Sequence, residues 1–144
     1  MPVAFRTGGE IDVGVYEVRH AADTGIVYCS VKGFLSDSES EAFAAELVTK
    51  LSAARRASRI GLRMLFDNRE GNVFSAKAAE ALNVLRAMHD PLRDRAAVLV
   101  ANSVNKLQAK RTASIGTEIF LSEAAAITWL TAHDQLAPVK AANG

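Results

Sequence analysis

Apolar residues recur along the chain with two different spacings, one typical of strands and one typical of helices. Apolar and polar positions alternate with a period of two, or run uniformly apolar, in five short stretches, which predict strands at residues 13–19, 26–32, 60–66, 96–101 and 117–120. Longer stretches with a period near 3.6 follow residues able to cap a helix, which are Ser36, Ser75, Asn102 or Ser103, and Ser122. The order β-β-α-β-α-β-α-β-α predicts an α/β fold: a mixed, mainly parallel five-stranded sheet with four helices as crossovers.

The first two predicted strands are joined by the short segment 21–25, so we expect an antiparallel hairpin. In the first strand the alternation slips by one between Val15 and Tyr16. Such a slip is typical of an edge strand with a bulge, or of a strand buried on both faces. Because one helix separates the second strand from the third, we expect these two strands to be parallel.

The first helix has the clearest pattern. Ser36 and Glu39 are placed for a capping box, in which each side chain binds the other residue's backbone N–H. The predicted buried stripe consists of Phe43, Leu47, Leu51 and Ala54. The predicted solvent face carries Glu41, Glu46, Lys50, Arg55 and Arg56.

Composition limits the class of protein. At 144 residues, the chain has the usual size of one domain, with a predicted core from about residue 12 to residue 134 and flexible ends at 1–11 and 135–144. The net charge of +1 gives no global field that favours nucleic acid, a membrane or acidic partners, although it is compatible with a local basic patch. The only cysteine, Cys29, excludes an intrachain disulfide, and no signal-peptide pattern is visible. The apolar runs are far shorter than the ~20 residues of a membrane span, so we expect a cytoplasmic protein that is not integral to a membrane.

The candidate functional surface follows the third strand, because ligands of open α/β sheets bind at the carboxyl ends of the strands. Asp67 ends the apolar run and is followed by Asn68 and Arg69. The Asp67 carboxylate could bind a cation, accept a proton or hold a ligand hydroxyl. The alternative is that it accepts backbone N–H groups of its own turn, with Arg69 and Glu70 as a solvated pair.

Two further candidates lie at predicted helix starts. Ser75 is either a plain N-cap or a site where a phosphate would be stabilised by the free N–H groups of the helix. Lys106 and Lys110, one turn apart with Arg111 beside them, could form an anion site with the helix start at residues 102–103. A solvated basic face would explain these lysines equally well.

Other chemistry has little support in the sequence. The histidines at positions 20, 89 and 133 lack metal-ligand spacing, and Cys29 in the middle of a strand is typical of a core residue. The chain contains no nucleophile elbow, phosphate loop or dinucleotide-binding glycine motif. We therefore predict no catalytic residue, no metal and no cofactor.

The segments RMLFDNREG and IFLSEAAAITWL, together with the element order, resemble the STAS superfamily, in particular its STAS-like or SpoIIAA-like branch, over roughly residues 13–133. The resemblance implies a β/α fold with a hairpin at its start and a regulatory or ligand-binding module rather than an enzyme. In the anti-sigma-factor antagonists of that superfamily, a partner kinase phosphorylates a serine at the helix start after the central strand. Ser75 is the closest position, although residues 73–76 read Val-Phe-Ser-Ala where the family has Asp-Ser-Ser/Thr-Gly.

The same branch is compared with the CRAL-TRIO lipid-binding fold, which implies a search for an apolar pocket. Residues able to line one are Phe74, Leu82, Leu85 and Met88. Core packing is the alternative explanation for these four side chains.

Three functional hypotheses follow. The first is a non-enzymatic regulatory domain that binds a protein partner or a small apolar or anionic ligand through Asp67, Asn68, Arg69, Ser75 and Lys106. A homodimer belongs to this hypothesis, because helices gathered on one face of the sheet would leave the other face to be covered. The second is a small hydrolase or isomerase that uses Asp67 with Lys106 or Arg69. The third is a purely structural domain.

Overall fold

The computed structural model describes residues 14–70, 83, 86–112 and 116–132, and it has the expected element order. The strands are β1 Val15–His20, β2 Ile26–Lys32, β3 Arg63–Asp67, β4 Arg95–Leu99 and β5 Thr117–Phe120. The helices are α1 Asp37–Ala57, α2 with its described end at residues 86–88, α3 Ser103–Thr112 and α4 Glu123–Thr131. The predicted ends of the chain, and Ser75, Phe74, Leu82, Leu85 and His133, lie outside the described residues.

The sheet has the strand order β1-β2-β3-β4-β5, with β1 antiparallel to β2 and all other neighbours parallel. This confirms the hairpin and the mixed, mainly parallel sheet. The predicted bulge is wrong, because β1 and β2 pair without interruption from Val15 opposite Lys32 to His20 opposite Val27. The slip in the pattern arises because Val15, at the start of an edge strand, is 52% exposed and is not part of the core.

Helices cover both faces of the sheet. On one face, α1 packs on β1 and β2 in a core cluster that includes Val27, Cys29, Val31, Phe43 and Leu47. On the other face, α4 packs on β3, β4 and β5 in a cluster that includes Ile26, Leu65, Leu99, Ala126 and Leu130. The expectation that the helices gather on one face is therefore wrong. Among the described residues, α4 covers the β3–β5 part of its face, and no helix packs on the β1–β2 part, which we call the open β1–β2 face.

The capping box of α1 is present: Glu39 N donates to Ser36 Oγ at 3.1 Å, and Ser36 N donates to Glu39 Oε1 at 2.7 Å. The predicted apolar stripe of α1 is buried. Two residues of the predicted solvent face instead bind the protein. Lys50 Nζ donates to Val18 O at 2.8 Å, and Arg55 Nη2 donates to Asp94 Oδ2 at 2.8 Å.

The strand β3 begins three residues later than predicted. Ser58 Oγ accepts hydrogen bonds from the backbone N–H groups of Ile60 and Gly61, at 3.1 Å each, and donates to Gly61 O at 2.7 Å. With Gly61 at φ +109°, this loop bends the chain before Arg63 enters the sheet. Ile60 and Leu62 therefore lie in a hydrogen-bonded loop before β3. Because both residues fit the alternating pattern, the sequence alone does not distinguish this loop from a strand.

The later helix starts agree with the sequence. Asn102 Oδ1 accepts from Asn105 N at 2.9 Å, and Ser122 Oγ accepts from Ala125 N at 3.2 Å. In the part of the chain that the structure describes, no helix has both the length and the apolar character needed to cross a membrane.

Candidate functional site

Asp67 is the last residue of β3, the middle strand of the sheet. It lies in register with Ser30 of β2 and Leu99 of β4. The backbone N–H of Asn68 continues the ladder by donating to Leu99 O at 2.9 Å. Asp67 is thereby placed at the carboxyl edge of the parallel strands, where the sequence places the candidate surface.

Asp67 is bound on both carboxylate oxygens by Arg69. Oδ1 accepts from the backbone N of Arg69 at 3.1 Å and from its Nε at 2.9 Å, and Oδ2 accepts from Nη2 at 2.7 Å. The same Nη2 lies 3.3 Å from Oε1 of Glu123, the first residue of α4. Arg69 therefore connects the end of β3 to the start of α4.

The electrostatics follow from this geometry. Hydrogen bonds from the Arg69 side chain hold the pKa of Asp67 below its usual value, although partial burial acts in the opposite direction. The backbone N–H and the positive charge of Arg69, and the more distant charge of Lys32, lower this pKa further. The carboxylate in turn raises the pKa of Arg69. Asp67 is thus an ionised group whose acceptor positions are already largely occupied.

Asn68, the next predicted site residue, is half-buried. Its backbone is held by β4, but its side-chain Oδ1 is buried and has no hydrogen-bond partner within the described residues. Among the described residues of the site, this oxygen is the one buried side-chain polar atom without a hydrogen-bond partner.

Two small cavities flank Asp67. One, of about 140 Å³, is lined by residues that include Ser30, Lys32 and Arg69. The other, of about 110 Å³, lies on the open β1–β2 face, and its lining includes Arg19, Tyr28 and Glu123. Both volumes are well below the roughly 300–1,000 Å³ of typical small-molecule pockets.

The open β1–β2 face carries its own charge cluster. The guanidinium of Arg19 lies 4.2 Å from the centre of the Tyr28 ring, and its Nε lies 3.6 Å from Glu17 Oε2. The sequence does not predict this cluster, because polar residues on the outer face of a hairpin are normally interpreted as solvent-exposed. Alternation does, however, place Glu17 and Arg19 on one face of β1.

Lys106 does not join the site. It lies in α3, where its backbone N–H donates to Asn102 O at 3.0 Å, and α3 packs against β5. Of the described groups, none links Lys106 to Asp67 by a hydrogen bond or an ion pair. The structure therefore brings together Asp67, Asn68 and Arg69, leaves Lys106 apart, and does not describe Ser75.

Cys29 of β2 also contributes to the lining of the smaller cavity beside Asp67. Cys29 is buried in the α1 cluster, as predicted, and burial raises the pKa of its thiol, with a smaller contribution from the charge of Asp67. Among the described residues, no group of three or more His, Cys, Asp or Glu side chains could hold a metal ion.

No protein-family model and no curated protein matches the chain. Among solved structures, the chain is similar to an uncharacterized protein of the DUF3478 family with a SpoIIAA-like fold from Shewanella loihica PV-4. The TM-score is 0.62 with 16% sequence identity, and the match covers 87% of this chain and 99% of the other. The fold is thus SpoIIAA-like, in agreement with the resemblance found in the sequence.

Proposed function

We propose that this SpoIIAA-like domain is a non-enzymatic regulatory module that binds a protein partner at the carboxyl edge of its sheet. The proposed contact surface, called the carboxyl-edge surface, consists of Asp67, Asn68, Arg69, Glu70 and Glu123. The observation that carries the proposal is the bridge from Asp67 through Arg69 to Glu123. It holds an exposed polar loop on rigid elements, so little conformational entropy would be lost on binding.

The shape and charge of the surface favour a protein over a small ligand. The two cavities beside Asp67 are too small for a typical apolar ligand. An anionic ligand would meet an Arg69 guanidinium that is already bound by the carboxylates of Asp67 and Glu123. Mixed charges on a firm surface are instead typical of the polar parts of protein interfaces.

The state of Asp67 supports a role in binding rather than in catalysis. A general base needs a pKa near the working pH and a free acceptor position. Asp67 has a lowered pKa and accepts three hydrogen bonds from Arg69. The use of Asp67 with Lys106 in an enzyme is supported even less, because no hydrogen bond or ion pair joins these two residues among the described parts of the chain.

Site-specific photo-crosslinking in cells tests the proposal. A photoreactive residue replaces exposed Glu70 at the carboxyl-edge surface, and the matched control replaces exposed Thr49 on α1. We expect a defined crosslinked protein from position 70 and none from position 49. A crosslink to a second copy of this chain would identify the partner as a homodimer. Equal products at both positions, or none at position 70, would contradict the proposal.

Substitutions then test which residues carry the binding. Asn68→Ala and Arg69→Ala should each reduce the yield of the crosslink at position 70 while leaving the circular dichroism spectrum unchanged. Ser75→Glu, which places a negative charge where a phosphate would add one, should reduce this yield as well and tests the regulatory part of the hypothesis. An unchanged crosslink yield with all three variants would rule out this surface.

A further inference from the structure

Two loops meet at the opposite, amino edge of the parallel strands. One precedes β3 and the other precedes β4. Arg93 Nη2 donates to Arg59 O at 3.2 Å, and a Cβ placed on Gly61 would lie 2.4 Å from Arg93 O. The loops therefore touch backbone to backbone. We call the surface formed by Arg56, Arg59, Ile60, Leu92 and Arg93 the basic tip.

Apolar side chains project from the basic tip. Leu92 is 91% exposed and Ile60 is 47% exposed. The turn that carries Leu92 is held by a hydrogen bond from its backbone N to Asp90 Oδ1 at 3.0 Å. Ser58 holds the loop of Ile60 in a similar way. Specific hydrogen bonds therefore fix the conformation of both loops, and the loops expose the aliphatic side chains of Leu92 and Ile60 to solvent.

Positive charge surrounds these apolar groups. Arg56, Arg59 and Arg93 are exposed, and none forms an ion pair with a carboxylate in the described parts of the chain. Residues 55–63 and 86–95 contain seven arginines and two aspartates, a net charge of +5. One of these aspartates, Asp94, is buried against Arg55. The rest of the chain has ten basic and fourteen acidic residues, a net charge of −4, so the positive charge of the sequence is concentrated in these two segments.

We propose that the basic tip docks this domain onto a membrane surface that contains anionic lipid. Leu92 and Ile60 enter the boundary between headgroups and acyl chains, and Arg56, Arg59 and Arg93 contact lipid phosphates. Binding of this kind combines buried apolar area with attraction to anionic headgroups. The carboxyl-edge surface, at the other end of the strands, then faces away from the membrane and stays accessible.

The projecting leucine distinguishes a lipid surface from other polyanions. A side chain that is nine-tenths exposed can enter a lipid phase, whereas it has no favourable contact with a nucleic-acid backbone. Proteins that hold nucleic acid without reading its sequence add aromatic side chains on which bases stack. The basic tip contains arginines, isoleucine and leucine but no aromatic residue.

The experiment is co-sedimentation of the full chain with sucrose-loaded vesicles. The vesicles are pure phosphatidylcholine, or phosphatidylcholine with roughly one-third phosphatidylglycerol. We expect binding to the anionic vesicles only, weakened by added salt. Arg59→Gln should lower the partition coefficient about fivefold, and Leu92→Ser about tenfold. The side chains of both residues are exposed, so circular dichroism and melting should match the wild type.

Matched controls lie elsewhere on the surface. Leu121→Ser replaces an exposed leucine at the carboxyl edge, and Arg111→Gln replaces an exposed arginine on α3. Both control proteins should bind like the wild type. Three results would each overturn the proposal: no binding to anionic vesicles, equal losses in the controls, or retained binding in the Leu92→Ser/Arg59→Gln double variant. Binding to a DNA duplex that depends on Arg59 but not on Leu92 would assign the tip to a different polyanion and would also overturn it.

Discussion

Arg55 Nη2 and Asp94 Oδ2 lie 2.8 Å apart and join the end of α1 to the residue before β4. The Asp94 side chain is only 1% exposed, whereas Arg55 reaches solvent. Asp94 also accepts hydrogen bonds from Leu62 N and Asp90 N, at 2.8 Å each. One buried carboxylate therefore holds α1, the approach to β3 and the turn before β4 in a fixed arrangement.

Removing this carboxylate should cost much of the stability of the domain. Asp94→Ala leaves two backbone donors and one guanidinium without their acceptor. Breaking a buried charged network in this way typically lowers the free energy of unfolding by about 3 kcal/mol or more. Urea denaturation at pH 7 measures the loss. Asp23→Ala, which removes an exposed carboxylate with one local hydrogen bond, should cost less than about 1 kcal/mol. Similar losses in both variants would contradict this role of Asp94.

The same network predicts how stability depends on pH. Burial alone would raise the pKa of Asp94, but the N–H groups of Asp90 and Leu62 and the charge of Arg55 outweigh burial and lower it. The unfolded chain then binds the proton more tightly than the folded chain. The contribution of Asp94 is complete above the unfolded pKa of about 4 and is lost as the pH falls through the lower folded pKa.

Urea denaturation of wild type and Asp94→Ala between pH 7 and pH 3 measures this effect. The difference in unfolding free energy between the two proteins should be largest at neutral pH and should shrink in acid. A difference that stays constant over the whole range would show that the folded and unfolded pKa values of Asp94 are equal.

Two glycines with positive φ angles should differ sharply in their tolerance of alanine. At Gly61, φ is +109° and a Cβ would lie 2.4 Å from Arg93 O, so the two loops of the basic tip would be forced apart. At Gly25, φ is +78° but nothing lies within 4 Å of the added Cβ. We expect Gly25→Ala to cost about 1 kcal/mol for backbone strain alone, and Gly61→Ala to cost at least about 3 kcal/mol. Thermal melting compares the two, and equal losses would disprove the contact at Gly61.

Local chemistry explains what could be predicted from the sequence. The caps at Ser36, Asn102 and Ser122 depend on residues three positions apart, so pattern and spacing find them. The position of Asp67 at the carboxyl edge follows from the end of an apolar run. The backbone hydrogen bond from Arg69 N to Asp67 follows too, because an aspartate often accepts N–H groups of its own turn. The expected pair of Arg69 with Glu70 is wrong, because the Arg69 side chain binds Asp67 and Glu123 instead.

Long-range contacts explain what could not be predicted. Arg69 is 54 residues from Glu123, and Arg55 is 39 residues from Asp94. The apolar periodicity of α4 does not indicate which face of the sheet this helix covers. The observed position of α4 brings Glu123 close to Arg69 and leaves the β1–β2 part of that face without a described helix. The basic tip could not be predicted for the same reason. In the sequence, Arg59 and Arg93 have the pattern of solvated surface charges, and only the structure shows that their two loops are in contact.

The last prediction concerns Arg69, whose side chain sets the ionisation of Asp67. Replacing Arg69 by alanine removes two hydrogen bonds and a nearby positive charge from the carboxylate. The pKa of Asp67 should therefore rise towards its usual value. Both side chains are partly exposed, so solvent screening limits the loss of stability at pH 7 to about 1 kcal/mol or less.

Carboxyl-carbon NMR titration of Asp67 in the two proteins measures this shift directly. Arg111→Ala is the control, because it removes an exposed guanidinium from α3 and should leave the Asp67 midpoint unchanged. The lowered folded pKa also means that the contribution of this pair to stability is present above the usual aspartate pKa and disappears as the pH falls through the folded value. If the midpoint is the same with and without the Arg69 side chain, Arg69 does not stabilise the ionised form of Asp67, and the contact between the two side chains does not contribute to the charge of the carboxyl-edge surface.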